Sequence, residues 1–165
     1  MFDLIAVRGR DLCGAYGATV IEYDGTLMHH RAFTGISDDP VRRQAVIDSF
    51  PTPPTARRPS ARAILERRVI QIDDLDTEYD RTQLALPDVK TLICVPMFRG
   101  DTVIGVLSMG GHARGAVSAT QIELLTTFAE QAVIAITSAE TYRTLQTRTA
   151  DLQESLENTR LLTEQ

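Results

Sequence analysis

Residues 91–109 read TLICVPMFRGDTVIGVLSM, two β-rich apolar runs on either side of Arg99-Gly100-Asp101. Such runs with a glycine between them predict a hairpin, with strands at 91–98 and 102–109 and Gly100 at the turn. Pro96 has no amide to donate, so its strand is expected at an edge or irregular there. Gly105, inside the second run, predicts a bulge or a close approach by a packed helix. The tripeptide Arg99-Gly100-Asp101 is spelled like a cell-adhesion signal, but in a chain whose composition makes it expected to be cytosolic it reads as the hairpin turn.

On the C-terminal side of this segment the period becomes helical. Ser118 followed by Gln121 has the spacing of a capping box. Leu125, Phe128, Ala129, Ala132, Val133, Ile136 and Ala139 then form one stripe, as on a helix laid against a core. On the N-terminal side, residues 73–88 are acidic and irregular and end near Pro87. Val69–Ile72 reads as a short strand and Ser60–Arg67 as a short helix. The stretch 51–59 (PTPPTARRP) is too rich in proline for helix interior or central strand. Asp39 and Pro40 open a helix to about Phe50, the aspartate as cap and the proline in the first turn. Runs at 17–23 and 26–33, separated by Asp24-Gly25, predict a second hairpin. Phe2, Ile5, Ala6, Leu12 and Cys13 share one face of a helix over residues 1–14, which Gly14 terminates. This order predicts an α+β domain: an antiparallel sheet with the terminal helices packed on one face.

Composition narrows the function classes. A chain of 165 residues, 43% hydrophobic and 24% charged, suits one domain with a tail. A net charge of −5 argues against general nucleic-acid affinity, which needs an excess of Lys and Arg. Cys13 and Cys94 form no CxxC pair and suggest a reducing compartment. Arg8, Arg10, Asp3 and Asp11 interrupt any signal-peptide core, and no apolar run approaches the roughly 20 residues that span a bilayer. The expected location is cytoplasmic, with no membrane partner.

Three segments resemble the GAF family of bacterial sensory domains. Thr91–Met97 is similar to the family's strand ending in Val-Pro-hydrophobic, and Val103–Ser108 to its Ile-Gly-Val-Leu strand. The pattern Gln121-Ile-Glu-Leu-Leu125, Phe128-Ala-Glu-Gln-Ala132, Ala135-Ile136 resembles its final helix. The resemblance covers about residues 2–142 and implies a GAF-like sheet of about five or six strands with a ligand pocket on the face away from the terminal helices. One departure is Val117, which stands where members often place Phe; a smaller plug predicts a looser loop over 110–117. The tail Thr141–Glu157 resembles the helix leaving a GAF domain in bacterial sensor histidine kinases and nucleotide cyclases. The expected division is therefore a sensory domain at 1–142 and the start of a signalling coiled-coil helix at 143–165.

The tail has its own physical reading. A 3-4 spacing runs through Ala135, Ser138, Tyr142, Leu145, Thr149, Leu152, Leu156 and Thr159, a coiled-coil seam of modest strength. A lone amphipathic helix is marginal in water, so Tyr142, Leu145, Leu152 and Leu156 are the candidate interface of a parallel homodimer. The resemblance implies that these helices pass the domain's state to an output domain C-terminal to Gln165, of a two-component histidine kinase or a cyclase.

The resemblance also implies pocket candidates: Cys94 on the sheet face that borders the cavity, with Met28, Phe33, Leu92 and Met97. The last four are large enough to fill that cavity, which leaves a non-ligand-binding dimerisation scaffold as the alternative function. Arg57, Arg58 and Arg62 are candidates for a basic lid over an anionic ligand; the plainer reading is a solvated face beside the acidic stretch from Asp73 to Asp80. No catalytic residue, metal site or cofactor is expected. His29 and His30 are adjacent in a strand and point to opposite faces, His112 stands apart, and no Cys/His cluster has ligand spacing. A bilin is not expected, because neither cysteine neighbours a histidine. A related GAF enzyme reduces methionine sulfoxide through several cysteines, and a redox enzyme using Cys94 is the third and weakest reading. The Asn-Lys, Phe and Asp-Glu set of cyclic-nucleotide-binding GAF domains is missing, as are phosphate-loop, dinucleotide and catalytic-triad motifs.

Overall fold

A computed structural model describes residues 1–35, 39–80, 88–115 and 117–163. Pro87, Ala116 and the last two positions, on which some sequence expectations fall, lie outside the described residues. The chain divides into two compact units, Met1–Ala132 and Val133–Gln165.

The first unit is built on an antiparallel sheet of five strands, β1 (Gly17–Tyr23), β2 (Met28–Thr34), β3 (Ile70–Ile72), β4 (Thr91–Arg99) and β5 (Thr102–Gly111), in the order β2-β1-β5-β4-β3. The hairpin read from residues 91–109 is β4–β5, and Gly100 takes the left-handed conformation (φ 59°) at its turn. β3 pairs with β4 only from Leu92 to Cys94, so at Pro96 the strand is bonded on its β5 side alone, where a missing amide costs little. Gly105 is explained by a neighbouring strand and not by a helix. A Cβ there would collide with the Ile21 carbonyl oxygen and come within 2.8 Å of the Met97 methyl. The bulge is one residue earlier: Met97 pairs with Gly105 and Phe98 with Val103, leaving Ile104 extra.

The first hairpin also differs by one position. Asp24 N–H donates to the Leu27 carbonyl (3.1 Å), so Gly25 (φ 97°) and Thr26 occupy the middle of the loop instead of Asp24 and Gly25. Asp24 works through its side chain, accepting from Thr26 N–H (2.8 Å) and Leu27 N–H (2.7 Å).

Helices start and stop where local chemistry allows. Among the described residues there are five: α1 (Phe2–Cys13), α2 (Pro40–Asp48), α3 (Pro59–Glu66), α4 (Leu75–Glu78) and α5 (Ala119–Thr163). Asp39 caps α2 by accepting from Val41 N–H (2.9 Å). Ser118 and Gln121 form the reciprocal box before α5: Ser118 N–H donates to Gln121 Oε1, and Gln121 N–H to Ser118 Oγ, each at 3.2 Å. Gly14 ends α1 in the left-handed conformation (φ 60°, ψ 29°). The buried face of α1 is Ile5, Ala6 and Gly9, whereas Leu12 is 47% exposed, which corrects the face expected from its large side chains. The helix lies so close to the sheet that a Cβ at Gly9 would meet the Met109 side chain and stand 3.1 Å from the Phe128 ring. The four-residue α4 falls in the stretch read as irregular; Asp74 caps it and Leu75 is fully buried.

Strand alternation sorts the core into two layers. Val20, Leu107 and Met109 lie on the sheet face that α1 and the start of α5 cover, with Leu125, Ala129 and Ala132. Ile21, Met28, Leu92, Cys94 and Val106 lie on the other face, packed with Ile64 of α3, Ile70, Ile72 and Leu75. Fully burying each large aliphatic side chain contributes about 1.5–3 kcal/mol.

Candidate functional site

The sheet face away from α1 is where the sequence places a pocket. Met28 (0% exposed), Leu92 (8%) and Cys94 (0%) do meet there, inside one packed apolar cluster. Met97 does not join them. Three positions after Cys94 on the same strand, it faces the opposite side and lies against Gly105, a correction that follows from the two-residue period. Phe33 is not among the residues packed in or against that cluster; it is half-buried on β2, with the Arg43 guanidinium 4.8 Å from its ring centre.

Cys94 is a buried small apolar group. Ser108 Oγ donates to its Sγ (3.2 Å), and burial pushes the thiol up to about 12, against the smaller opposing effect of that hydrogen bond. A thiol so placed carries almost no thiolate near neutral pH, so it has little of the character of a nucleophile. Cys13, half-buried at the end of α1, is also raised by burial.

The three arginines of the expected basic lid do not converge on one site. Arg62 donates to Glu66 (2.9 Å) and to the Tyr79 hydroxyl (2.9 Å), which together hold its guanidinium firmly protonated. Arg58 lies over the Phe50 ring (4.8 Å), where burial lowers its pKa, and Arg57 is exposed. The acidic stretch finds its cations elsewhere: Arg114 bridges Asp74 (3.0 Å) and Asp76 (2.7 Å), and Lys90 reaches Asp76 (3.0 Å).

A cavity of about 140 Å³ opens on the α1 side, between Cys13, Thr91, Ile93, Met109, Val117 and Gln121. Pockets that enclose drug-sized ligands run to roughly 300–1,000 Å³, so this one suits only a very small guest. Val117, the residue that replaces the usual Phe plug, is on its wall.

The histidines are divided as the strand period requires. His29 Nε2 lies 2.8 Å from Asp24 Oδ2. His30 turns inward between Phe33 and Phe50, and its Nε2 is buried without a hydrogen-bond partner among the described residues. The contact with Phe33 was not legible in the sequence, because residues three apart on a regular strand face opposite ways. Val20 pairs with Ala32 and Ile21 with His30, so Arg31 is an extra residue that restores the same side.

In the second unit α5 continues to Thr163. Tyr142, Leu145, Leu152 and Leu156 are 63%, 56%, 65% and 70% exposed. One window of α5 is long and apolar enough to cross a membrane by length and composition alone, which the sequence reading did not anticipate. The same helix supplies Leu125 and Ala129 to the core, and 28% of that window is buried.

Comparison with known proteins agrees with this architecture. Among solved structures, the GAF-B domain of DevS from Mycobacterium smegmatis is 25% identical, aligned over 87% of this chain and 96% of that one, with a TM-score of 0.65. A domain of a protein described as a two-component sensor histidine kinase from Sinorhizobium meliloti is 15% identical over 88% of this chain and 94% of that one, TM-score 0.67. The type II free methionine-R-sulfoxide reductase from Thermoplasma acidophilum is 14% identical over 83% and 89%, TM-score 0.66. The last two likenesses show a shared fold and no more. No curated protein matches the chain in sequence. The GAF domain family model matches residues 1–137, most of the chain. The protein therefore belongs to the GAF domain family, whose members are signal-sensing domains of sensor kinases and other signalling proteins.

Proposed function

We propose that this chain is a cytoplasmic regulatory input module that passes its state through a parallel dimer of C-terminal helices to an output domain, of the two-component histidine kinase type. The observation that carries the reading is a single unbroken helix, α5, with two different faces along its length. Its early turns contribute the core residues Leu125, Ala129 and Ala132, and its late turns expose Tyr142, Leu145, Leu152 and Leu156. A helix shared by a folded core and an apolar seam can couple a change in one to the other. The hydroxyl of the seam threonine Thr149 donates to the Leu145 carbonyl (2.9 Å) and so needs no partner across the seam. A signal further requires a ligand that binds two states unequally. The likeness to a DevS GAF domain at 25% identity is consistent with this role.

A second reading, a dimerisation scaffold without a ligand, is favoured by the packing of Met28, Leu92 and Cys94 into closed core. Thermal-shift measurements against nucleotides and metabolites separate the two. A rise in melting temperature specific to one chemical class supports sensing. A flat response across a broad library leaves the scaffold.

A further inference from the structure

His30 sits on the edge strand β2 with its ring centre 5.0 Å from that of Phe33 and 5.8 Å from that of Phe50. Each of those rings is in turn covered by a guanidinium at 4.8 Å, Arg43 from α2 over Phe33 and Arg58, the residue before α3, over Phe50. Nearby, the segment that follows α2 is laid along the same strand: Met28 N–H donates to the Thr52 carbonyl (2.8 Å) and Thr52 N–H to the Met28 carbonyl (3.1 Å). The His30 ring and this bridge are thus two fastenings of one segment to the sheet edge.

We propose that His30 is a proton-sensitive latch: its neutral ring holds the segment from Phe50 to Arg58 against β2, and its protonation releases that segment. A neutral imidazole fits between two phenyl rings as a flat, weakly polar disc. The imidazolium would bring a charge and a further N–H into a place where Nε2 has no acceptor among the described residues. Burial opposes that form, and the one charge that acts on the ring among the described residues favours it. Arg43 and Arg58 lie over the neighbouring Phe33 and Phe50 rings, and Asp3 of α1 is an acid whose field favours the charge. On β2 itself, His29 is taken up by Asp24 and Arg31 by Glu22. Burial outweighs Asp3 and holds the His30 pKa below its ordinary 6.5. The sign follows. The released form binds the proton more readily, so opening is unaffected well above pH 6.5 and grows as the pH falls through and below it, levelling beneath the latched pKa. Because Phe50 packs against the cluster that contains Met28 and Cys94, release uncovers that core face from the β2 side. The latch stands whether or not the tail dimerises.

The test is an NMR titration of the whole chain from pH 7.5 to 5, following the His30 imidazole and the opening equilibria of the Met28 and Thr52 amides by hydrogen exchange corrected for intrinsic rate. His30 should titrate below 6.5, and opening at both amides should increase by up to about tenfold per pH unit, the limit for one proton. His30→Phe should keep the segment closed across the range. A His30 midpoint at or above 6.5, or opening that still rises with acid in His30→Phe, overturns the proposal. Should that variant fail to fold, the wild-type data decide alone. Coincident onset of imidazole titration and amide opening supports the latch, and an opening that ignores the titration sinks it.

Discussion

Gly105 is held by geometry that no side chain could share: the Ile21 carbonyl on one neighbouring strand and the Met97 methyl from the other. Gly105→Ala forces a strand or Met97 to move, and overpacking of this kind costs typically about 1–3 kcal/mol. Urea denaturation should show a lower midpoint with an unchanged slope, and a variant as stable as wild type would mean the strands separate freely there. Cys94 gives the opposite sort of residue, one whose chemistry burial suppresses. With its thiol pushed up to about 12, it should react with a thiol reagent only as the domain unfolds, while half-buried Cys13 reacts first. Mass spectrometry of the native protein resolves the order. Prompt native labelling of Cys94 would revive the redox reading that its burial weakens. The burial of Cys94 was legible, since a cysteine within an apolar strand is usually core. The position of Met97 across the sheet was there to be read too, because it follows from counting by two.

Elements were legible where a cap or a turn residue sets a boundary, and illegible where one inserted residue changes which side chains meet. The α5 box is of the first kind. Ser118→Ala removes the oxygen that receives Gln121 N–H, and loss of such a cap costs roughly 1 kcal/mol. A fall of a few degrees in melting temperature should follow, while Ser118→Asp, which keeps an acceptor, should largely restore it. The bulges at Arg31 and Ile104 are of the second kind, since β-rich composition carries no mark of the residue that will be left unpaired. They place His30 beside Phe33, and Val103 in one cluster with Val106. The short α4 escaped notice because four residues do not establish a helical period. The first hairpin lies between these cases: Asp-Gly marked the turn but not its centre. Its aspartate carries a measurable signature, because hydrogen bonds from Leu27 N–H, from His29 and from Thr26 N–H hold the Asp24 carboxyl at about 2. A depressed carboxyl stabilises above its ordinary value near 3.8 and loses that contribution as pH falls toward 2. Order at the Leu27 amide should therefore weaken over that interval, and Asp24→Ala should abolish the acid dependence along with the local order.

At the scale of the whole molecule, the α5 seam decides whether this domain signals through a partner or only folds. Twenty-odd residues of isolated helix are marginal in water, and Leu145, Leu152 and Leu156 are each more than half exposed. A second copy in register would cover them, with Thr149 between the leucines already satisfied within its own helix. Burying a leucine contributes at least about 1.5 kcal/mol, so Leu152 and Leu156 from two chains contribute roughly 6 kcal/mol, about four decades in Kd, before the cost of association is counted. Replacing both with Glu also sets like charges across the seam. Sedimentation equilibrium should find the whole chain dimeric at micromolar concentration and the Leu152→Glu, Leu156→Glu variant monomeric, with the first unit's melting transition retained. The pairing would be disproved by a whole chain that stays monomeric at high concentration with the segment after Tyr142 unfolded. A dimer that survives the double change would instead assign association to another surface, and the helix would then have no demonstrated route for carrying a signal.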